Sequence, residues 1–499
     1  MAISARLAQL LHEAPDAAQA IEHDGLWWTW GRLRSCASAL AQSLADANIA
    51  PGGRVGIILE NRPEYVAALI AVLSTGRCVV TLSPLEPAAR LAEDIHRSSP
   101  LVVVGGPDAL ARPGVLGAVT AQAQAIELGQ DGAARTLGGA APNDGRAGSG
   151  AAIEMLTSGT TGPAKRIGLT SRQIDMSLVA SGRRPADLRA LLSPSVSLVA
   201  SPMVHIGGLW GVISALHAGR RIVLMTKFAL APWVEAVERH QVQVAFLVPA
   251  ALRSVLDADV PPERLRSLRL VTSGAAACPV EVTDQFLRRY GIRILTTYGA
   301  TEFAGAVAGW TYDLHEQWWE TKAGSVGRAY GGVELRVTGD DGAELPAGQV
   351  GCLEVRTAQS SQGAREWVRT SDQARLDNDG FLWITGRQDD VIVRGGFHIQ
   401  PATVKRALES HPAVREAAVA GFPDQRLGSV PVAAVEIEPG RRRPTPEELI
   451  VKCRAELAPY EVPKRLLVLD ALPRTPSSKV SRADLLNLIR VSLGARTQA

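Results

Sequence analysis

Between Thr157 and Lys165 the chain places four hydroxyl side chains (Thr157, Ser158, Thr160, Thr161), two glycines (Gly159, Gly162) and a lysine within nine positions. Small residues let backbone N–H groups converge on an anion, and hydroxyls add further donors. Lys165 contributes a point charge. The set suits a polyphosphate. It is not a Walker loop, because Gly159 and Gly162 lie too close together and Pro163-Ala164 intervene before Lys165. Taken alone, the segment leaves a polar surface turn open as the alternative. The chain uses lysine sparingly, with seven lysines among its 53 basic residues. Two of the seven, Lys165 and Lys479, therefore stand out.

The elements around this loop follow a regular grammar. Short apolar runs with β character, "RRIVLMT", "VQVAFLVP", "LRLVTSG" and "IRILTTYG", alternate with helical patterns such as "APWVEAVERHQ" and "VEVTDQFLRRYG". An earlier stretch, 53–83, repeats the pattern. Such alternation predicts parallel sheet covered by helices. Ligands in such sheets bind beyond the carboxyl ends of the strands, where the hydroxyl-rich loop, "VTSGAAACP" and "TTYGATE" fall. Residues 128–151, rich in Gly, Ala and turn formers, read as a surface connection into the loop. After about Gly386 the texture changes to short strands with two or three helices. The expected fold is α/β, a large N-terminal domain of parallel-rich sheets with packed helices (1–388). A small α+β C-terminal domain (389–499) follows on a short hinge that permits rotation.

Composition narrows the function classes. With 499 residues, 46% hydrophobic and 21% charged, and a formal net charge of +3, the chain carries no global pull toward nucleic acid or membrane. No stretch reaches membrane-spanning length, and the N-terminus lacks the unbroken apolar core of a secretory signal. Five scattered cysteines without a CxxC pair argue for buried thiols in a reducing compartment rather than disulfides or zinc. A cytoplasmic protein is expected.

"TSGTTGPAK" resembles the phosphate loop of the AMP-forming acyl-CoA synthetase, adenylation-domain and luciferase superfamily. The likeness continues in order along nearly the whole chain. "YGATE" (298–302) is similar to its adenine and magnesium motif, and "RTSDQARLDNDGFLWITGRQDD" (369–390) to its ribose and hinge motif. "RGGFHIQP" resembles the thiolation motif, and "LPRTPSSKVSR" (472–482) the catalytic-lysine motif. The resemblance implies two half-reactions. A carboxylate attacks the α-phosphate of ATP to give acyl-adenylate and pyrophosphate, and a thiol then takes the acyl group and releases AMP.

Residue by residue, it implies that Thr157, Ser158, Gly159, Thr160, Thr161, Gly162 and Lys165 hold the β- and γ-phosphates. Tyr298 and Gly299 would lie along adenine, Thr301 would bond the α-phosphate, and Glu302 would offer a hard oxygen to Mg²⁺. Asp372 would accept the ribose hydroxyls, with Arg387 beside it. Lys479 would bridge the attacking carboxylate and the α-phosphate. Asp389 matches the hinge, and Gly395-Gly396 allow close approach of a pantetheine arm. The triplet Arg441–Arg443 could attract CoA phosphates, but a solvated charged turn is the preferred reading.

The acyl pocket is expected along "SPMVHIGGLWGV" (201–212), with His205 at its gate and Trp210, Gly274 and Ala275, Ala276 and Ala277 as further walls. This segment contains no carboxylate to pair an ammonium, which argues against an amino-acid substrate. The small residues of "SGAAA" leave room for a bulky or cyclic apolar acid. CoA is the expected thiol acceptor, with a separate carrier protein as the alternative. The sequence also departs from the family pattern at Pro163, Arg166, Ser371, Ser478 and Thr403. Those departures raise a second possibility, an enzyme that accepts preformed acyl-AMP and performs only the thioester step. A non-catalytic acid or nucleotide sensor is a third.

Overall fold

Buried valines and isoleucines fill the central strands of this protein, seen here in a computed structural model. It describes residues 2–140, 150–157, 165–180, 190–360, 362–387, 390–394, 397–424, 427–475 and 479–494. Backbone proximity divides them into two compact units. The first comprises the described residues up to 157, 165–334 and 356–368, and the second comprises 335–355 and 369–494. The boundary expected at 388/389 falls inside the second unit.

The first unit is built on three sheets. The seven-stranded sheet runs in the order Ala134–Gly139, Gln124–Leu128, Val102–Gly105, Arg54–Ile58, Cys78–Leu82, Ile153–Thr157, Lys165–Leu169. Its interior strands are parallel and its two edge strands antiparallel. Continuous burial of strands such as Cys78–Leu82 and Val102–Gly105 is what a sheet covered on both faces requires. The five-stranded sheet joins Val244–Phe246, Leu270–Ser273 and Arg293–Ala300 in parallel, then Gly305–Gly309 and Arg328–Ala329. The third sheet pairs Ser193–Val199, Arg220–Leu224, Gln19–His23 and Leu26–Thr29.

The alternation read from the sequence is thus present, with one correction. Residues 128–151 are not only a connection, because Ala134–Gly139 pairs antiparallel with Gln124–Leu128 as an edge strand. Gly138 and Gly139 sit at φ +107° and +131° there. A half-exposed edge strand needs backbone partners but little apolar periodicity, so pattern alone does not reveal it. The N-terminal helix Ile3–Glu13 buries Ile3, Leu7 and Leu10, which share one helical face, against the core.

Residues from 333 onward form a four-stranded sheet (Val333–Thr338, Gly351–Thr357, Val368–Leu376, Leu382–Arg387) and a five-stranded one. The latter orders Phe397–Ile399, Ile392–Arg394, Gly428–Ile437 and Val414–Asp424, with Arg465–Leu469 parallel to Gly428–Ile437. Three helices accompany it, Pro401–Glu409, Pro446–Glu456 and Arg482–Gly494. The second of these begins with a reciprocal capping box between Thr445 and Glu448. No disulfide joins the five cysteines. Among the described residues no helix is long and apolar enough to cross a membrane.

Candidate active site

The phosphate-loop segment is carried by the hairpin of Ile153–Thr157 and Lys165–Leu169. Its last register pair is Thr157 with Lys165, and the next is Leu156 with Arg166. Side chains alternate along a strand, so Lys165 and Arg166 project from opposite faces. Lys165 is exposed. Arg166 turns inward, donating from Nη2 to both carboxylate oxygens of Asp94 at 2.8 and 2.7 Å. Its Nη1 donates to the carbonyls of Thr81 and Glu154 at 3.1 and 3.3 Å. The long side chain in place of glycine therefore does not occupy the face that carries Lys165. Ser158, Gly159, Thr160, Thr161, Gly162 and Pro163 lie outside the described residues, as does the Thr157 side chain.

Beside this hairpin stands a second one. Tyr298 pairs with Ala308, Gly299 with Ala306 and Ala300 with Gly305. A short 3₁₀ turn, Thr301–Phe303, closes it, and Ala304 (φ +52°) and Gly305 (φ +142°) complete the reversal. The strand Lys165–Leu169 runs alongside that turn. The strand that begins at Lys165 and the turn that carries Thr301 and Glu302 are therefore neighbours although well over a hundred positions separate them in the chain. Gly299 is obligatory, since a Cβ there would stand 2.1 Å from the Gly305 carbonyl oxygen. Ser177 Oγ donates to the Ala304 carbonyl at 3.0 Å and holds the turn from below.

The residues expected to line an acyl pocket lie near the carboxyl ends of the parallel strands. His205 caps the helix Ile206–His217. Phe246 ends its strand between two glycines. A Cβ on Gly207 would meet its ring at 3.9 Å, and one on Gly274 would meet it at 3.7 Å. A Cβ on Gly305 would lie 3.9 Å from the Trp210 ring. Ala275 adopts φ +67°, an uncommon backbone for a residue with a Cβ, and Ala275 and Ala276 are exposed. The structure thus adds Phe246 and Ser177 to the candidates read from the sequence. Both sit in segments that read as ordinary core strand and helix, so no local signal marks them.

Asn61 is a further residue that linear spacing does not reveal. It is buried, and its Nδ2 donates to the carbonyls of Ser201 (2.8 Å) and Met225 (3.0 Å) while its Oδ1 accepts from Met203 N–H (2.7 Å). These bonds fix the loop that delivers His205. Gly208 lets that loop fold back, because a Cβ there would lie 2.2 Å from the Pro202 oxygen. Asn61→Ala strands three backbone groups, each carrying about 1–3 kcal/mol of desolvation when buried and unpaired. We expect a net loss of ~2–4 kcal/mol by thermal or denaturant unfolding, partial solvation offsetting the rest. A loss below ~1 kcal/mol would mean the loop holds itself.

The second unit collects a different set. Asp372 and Arg387 are cross-strand partners, with Arg387 Nε 3.8 Å from Asp372 Oδ1. The Asp372 N–H donates to Thr370 Oγ1 at 3.1 Å. Ser371, in place of an expected glycine, accepts a hydrogen bond from Arg387 Nη2, so this departure supplies a partner rather than a defect. Lys479 is tied back to Thr475. Its carbonyl accepts from Thr475 N–H at 2.6 Å and its N–H donates to Thr475 Oγ1 at 3.2 Å, while Arg474 bridges Val480. Arg474 anchors this segment to the sheet through Glu416 (2.6 Å) and Glu436 (3.1 Å).

Desolvation first, and the nearby Arg387 charge second, lower the Lys479 pKa below the ordinary lysine value. Solvent still reaches the side chain, which limits the first effect, and the repulsion from Arg387 acts in the same direction. Asp389, Gly395, Gly396 and Ser478 lie outside the described residues. Thr403 donates its N–H to the Gln400 carbonyl within the first turn of Pro401–Glu409. Of the arginine triplet, Arg442 pairs with Glu448 and Arg443 with Asp470 and the Val468 carbonyl. That pairing favours the structural reading over CoA attraction.

Among the described residues no group of three or more His, Cys, Asp or Glu could hold a metal by itself. A single carboxylate at Glu302 fits Mg²⁺, which retains waters and takes one or two protein carboxylates together with substrate phosphates.

Comparisons with known proteins agree with this geometry. The family profile described as AMP-binding enzyme matches residues 8–363, and that of the AMP-binding enzyme C-terminal domain matches residues 404–479. Indoleacetate–CoA ligase of Aromatoleum aromaticum is 30% identical over 494 residues, covering 92% of this chain and 93% of that one. Sulfoacetate–CoA ligase of Cupriavidus necator is 31% identical over 503 residues, covering 95% and 94%. The structure of o-succinylbenzoate CoA synthetase from Bacillus subtilis, in complex with its acyl-adenylate intermediate, superposes with a TM-score of 0.78. It has 26% identity and covers 96% of this chain and 97% of that one.

Proposed function

The chain belongs to the AMP-binding enzyme family and is an acid–thiol ligase of the AMP-forming type, and from that premise we propose that it converts a hydrophobic carboxylic acid, bulky or cyclic, into its CoA thioester through an acyl-adenylate. Lys165 and the hydroxyl-rich segment before it bind the β- and γ-phosphates of ATP. Tyr298 and Gly299 flank the adenine, Thr301 bonds the α-phosphate, and Asp372 with Arg387 holds the ribose. When bound through Glu302, Mg²⁺ supplies charge neutralisation on the phosphates. Lys479 draws the acid carboxylate and the α-phosphate together, which are both anionic and otherwise repel.

We place the pivot between half-reactions at Asp389. Residues 1–388 bind ATP and acid, while 389–499 carry Lys479 and, at Gly395-Gly396, the approach for the thiol. CoA is the acceptor in this reading.

The acid class rests on one observation. The Phe246 ring lies against two glycine positions, Gly207 and Gly274, with His205 capping the adjacent helix. Glycines beside an aromatic wall leave a flat apolar slot, and no carboxylate in 201–212 offers an ammonium its counter-charge. The two CoA ligases named above act on an aromatic and on a small anionic acid, so identity alone does not select a substrate. The inward turn of Arg166 and the Ser371–Arg387 bond support this reading over a thioester-only enzyme.

A panel of aryl, alicyclic and short-chain acids, assayed for thioester formation with CoA, tests the proposal. Aryl or alicyclic acids should give kcat/KM at least ~100-fold above acetate, as apolar burial of a ring implies. Reaction confined to acetate and propionate would reject the acid class. Product only with an acyl-carrier protein, and none with CoA, would reject the acceptor.

A further inference from the structure

Arg166 and Asp94 form a buried ion pair whose place in the fold gives it more than a packing role. Their side chains are 15% and 10% exposed. Arg166 belongs to the edge strand of the seven-stranded sheet, immediately after Lys165. Its guanidinium reaches across the neighbouring strand to the Thr81 carbonyl on the strand beyond, and to Asp94 on the helix Ala88–Ser98. A second bidentate pair lies alongside. Arg54 donates from Nε and Nη2 to the two carboxylate oxygens of Glu154 at 3.0 and 2.5 Å. Together these groups line a polar cavity of about 520 Å³ with Arg97, Thr170 and Gln173. Each of the four central charges has an opposite charge within hydrogen-bond reach, and Arg97 pairs with Glu93 at 3.5 Å.

The pairs stitch the strands Arg54–Ile58 and Cys78–Leu82 and the helix Ala88–Ser98 to the hairpin that carries Lys165. An edge strand has neighbours on one side only. A fork-shaped guanidinium with four bonds supplies the missing constraint, which a glycine at this position could not. We propose that Arg166–Asp94 is a positioning pair for Lys165 and the strand ends Thr157 and Lys165, and so governs the productive binding of ATP. The inference rests on the assignment of Lys165 to the phosphates of ATP. Displacement of a binding group by about an ångström can cost on the order of a hundredfold in rate.

The test compares wild type with Arg166→Gly, Arg166→Lys, Asp94→Asn and the Asp94→Asn/Arg166→Gly double variant, each checked for its melting temperature. Two reactions are followed, acid-dependent exchange of pyrophosphate into ATP, and thioester formation from supplied acyl-adenylate and CoA. The expected result is an ATP KM in exchange at least ~10-fold higher in Arg166→Gly and Asp94→Asn, with partial rescue in Arg166→Lys, which keeps the charge but not the fork. Thioester formation, which involves no β- or γ-phosphate, should stay within about twofold of wild type. The double variant removes both buried charges and keeps the test open if a single one fails to fold. An unchanged ATP KM, or a parallel fall of both reactions with the melting temperature, overturns the inference while leaving the proposed function standing. Wild-type protein that makes thioester but shows no exchange overturns both.

Discussion

Lys479→Ala should lower acid-dependent pyrophosphate exchange by about a thousandfold while leaving thioester formation from supplied acyl-adenylate within ~3-fold of wild type. The ammonium is assigned to charge that develops only while carboxylate and α-phosphate approach, and such preorganised charge is worth more in the transition state than in the ground state. The segment that holds it is tied back by backbone bonds to Thr475 and anchored through Arg474, not through the Lys479 side chain. Truncation should therefore leave the segment intact.

The same residue fixes a pH dependence. Burial and Arg387 lower its pKa, so the ammonium is present below that value and is lost as pH rises through it. Exchange should fall on the alkaline side earlier than an ordinary lysine would dictate, and thioester formation should not share that limb. Arg387→Gln removes a repelling charge and should move the limb upward. Equal loss of both half-reactions in Lys479→Ala would contradict the role.

Asp372→Asn should raise the ATP KM in exchange by about 10- to 100-fold, since each hydrogen bond to a charged group contributes about 1.5–3 kcal/mol. The substitution keeps the shape of the site. The backbone N–H of residue 372 still bonds Thr370 Oγ1, and Ser371 still accepts from Arg387. What is lost is a carboxylate able to accept two ribose hydroxyls at once and the charge facing Arg387 across the strand pair. The KM for the acid should move little. Steady-state exchange kinetics with ATP and acid varied in turn separate the two, and an ATP KM unmoved by the substitution would remove Asp372 from the nucleotide site.

The candidate site residues are legible in the linear chain because they sit in compact motifs. Tyr298, Thr301 and Glu302 occupy one reversal, and Thr157 to Lys165 one hairpin end. In the reversal the geometry is dictated by Gly299 and Gly305, which the sequence displays openly. The alternating strands and helices that present these motifs at strand ends are legible for the same reason, since each depends on a local period. What stays hidden depends on distant partners. Asn61 meets Ser201 across 140 positions, and Arg166 meets Asp94 across 72. Nothing near either residue announces its partner. Arg166 read as a defect in the loop motif, because its facing direction is set by strand register and not by composition. Phe246 looks like any core aromatic until Gly207 and Gly274 are seen on either side of it. The edge strand Ala134–Gly139 escapes notice because pairing at an edge leaves no apolar stripe.

The most direct measurement of the account is a product balance. The protein is incubated with ATP, Mg²⁺, CoA and an aryl or alicyclic acid, and AMP, ADP, pyrophosphate and acyl-CoA are quantified together. The expected products are AMP, pyrophosphate and acyl-CoA in equal amounts, with acyl-AMP accumulating when CoA is withheld. ADP in place of AMP, or AMP released with no acyl-CoA formed across the acid panel, would contradict it.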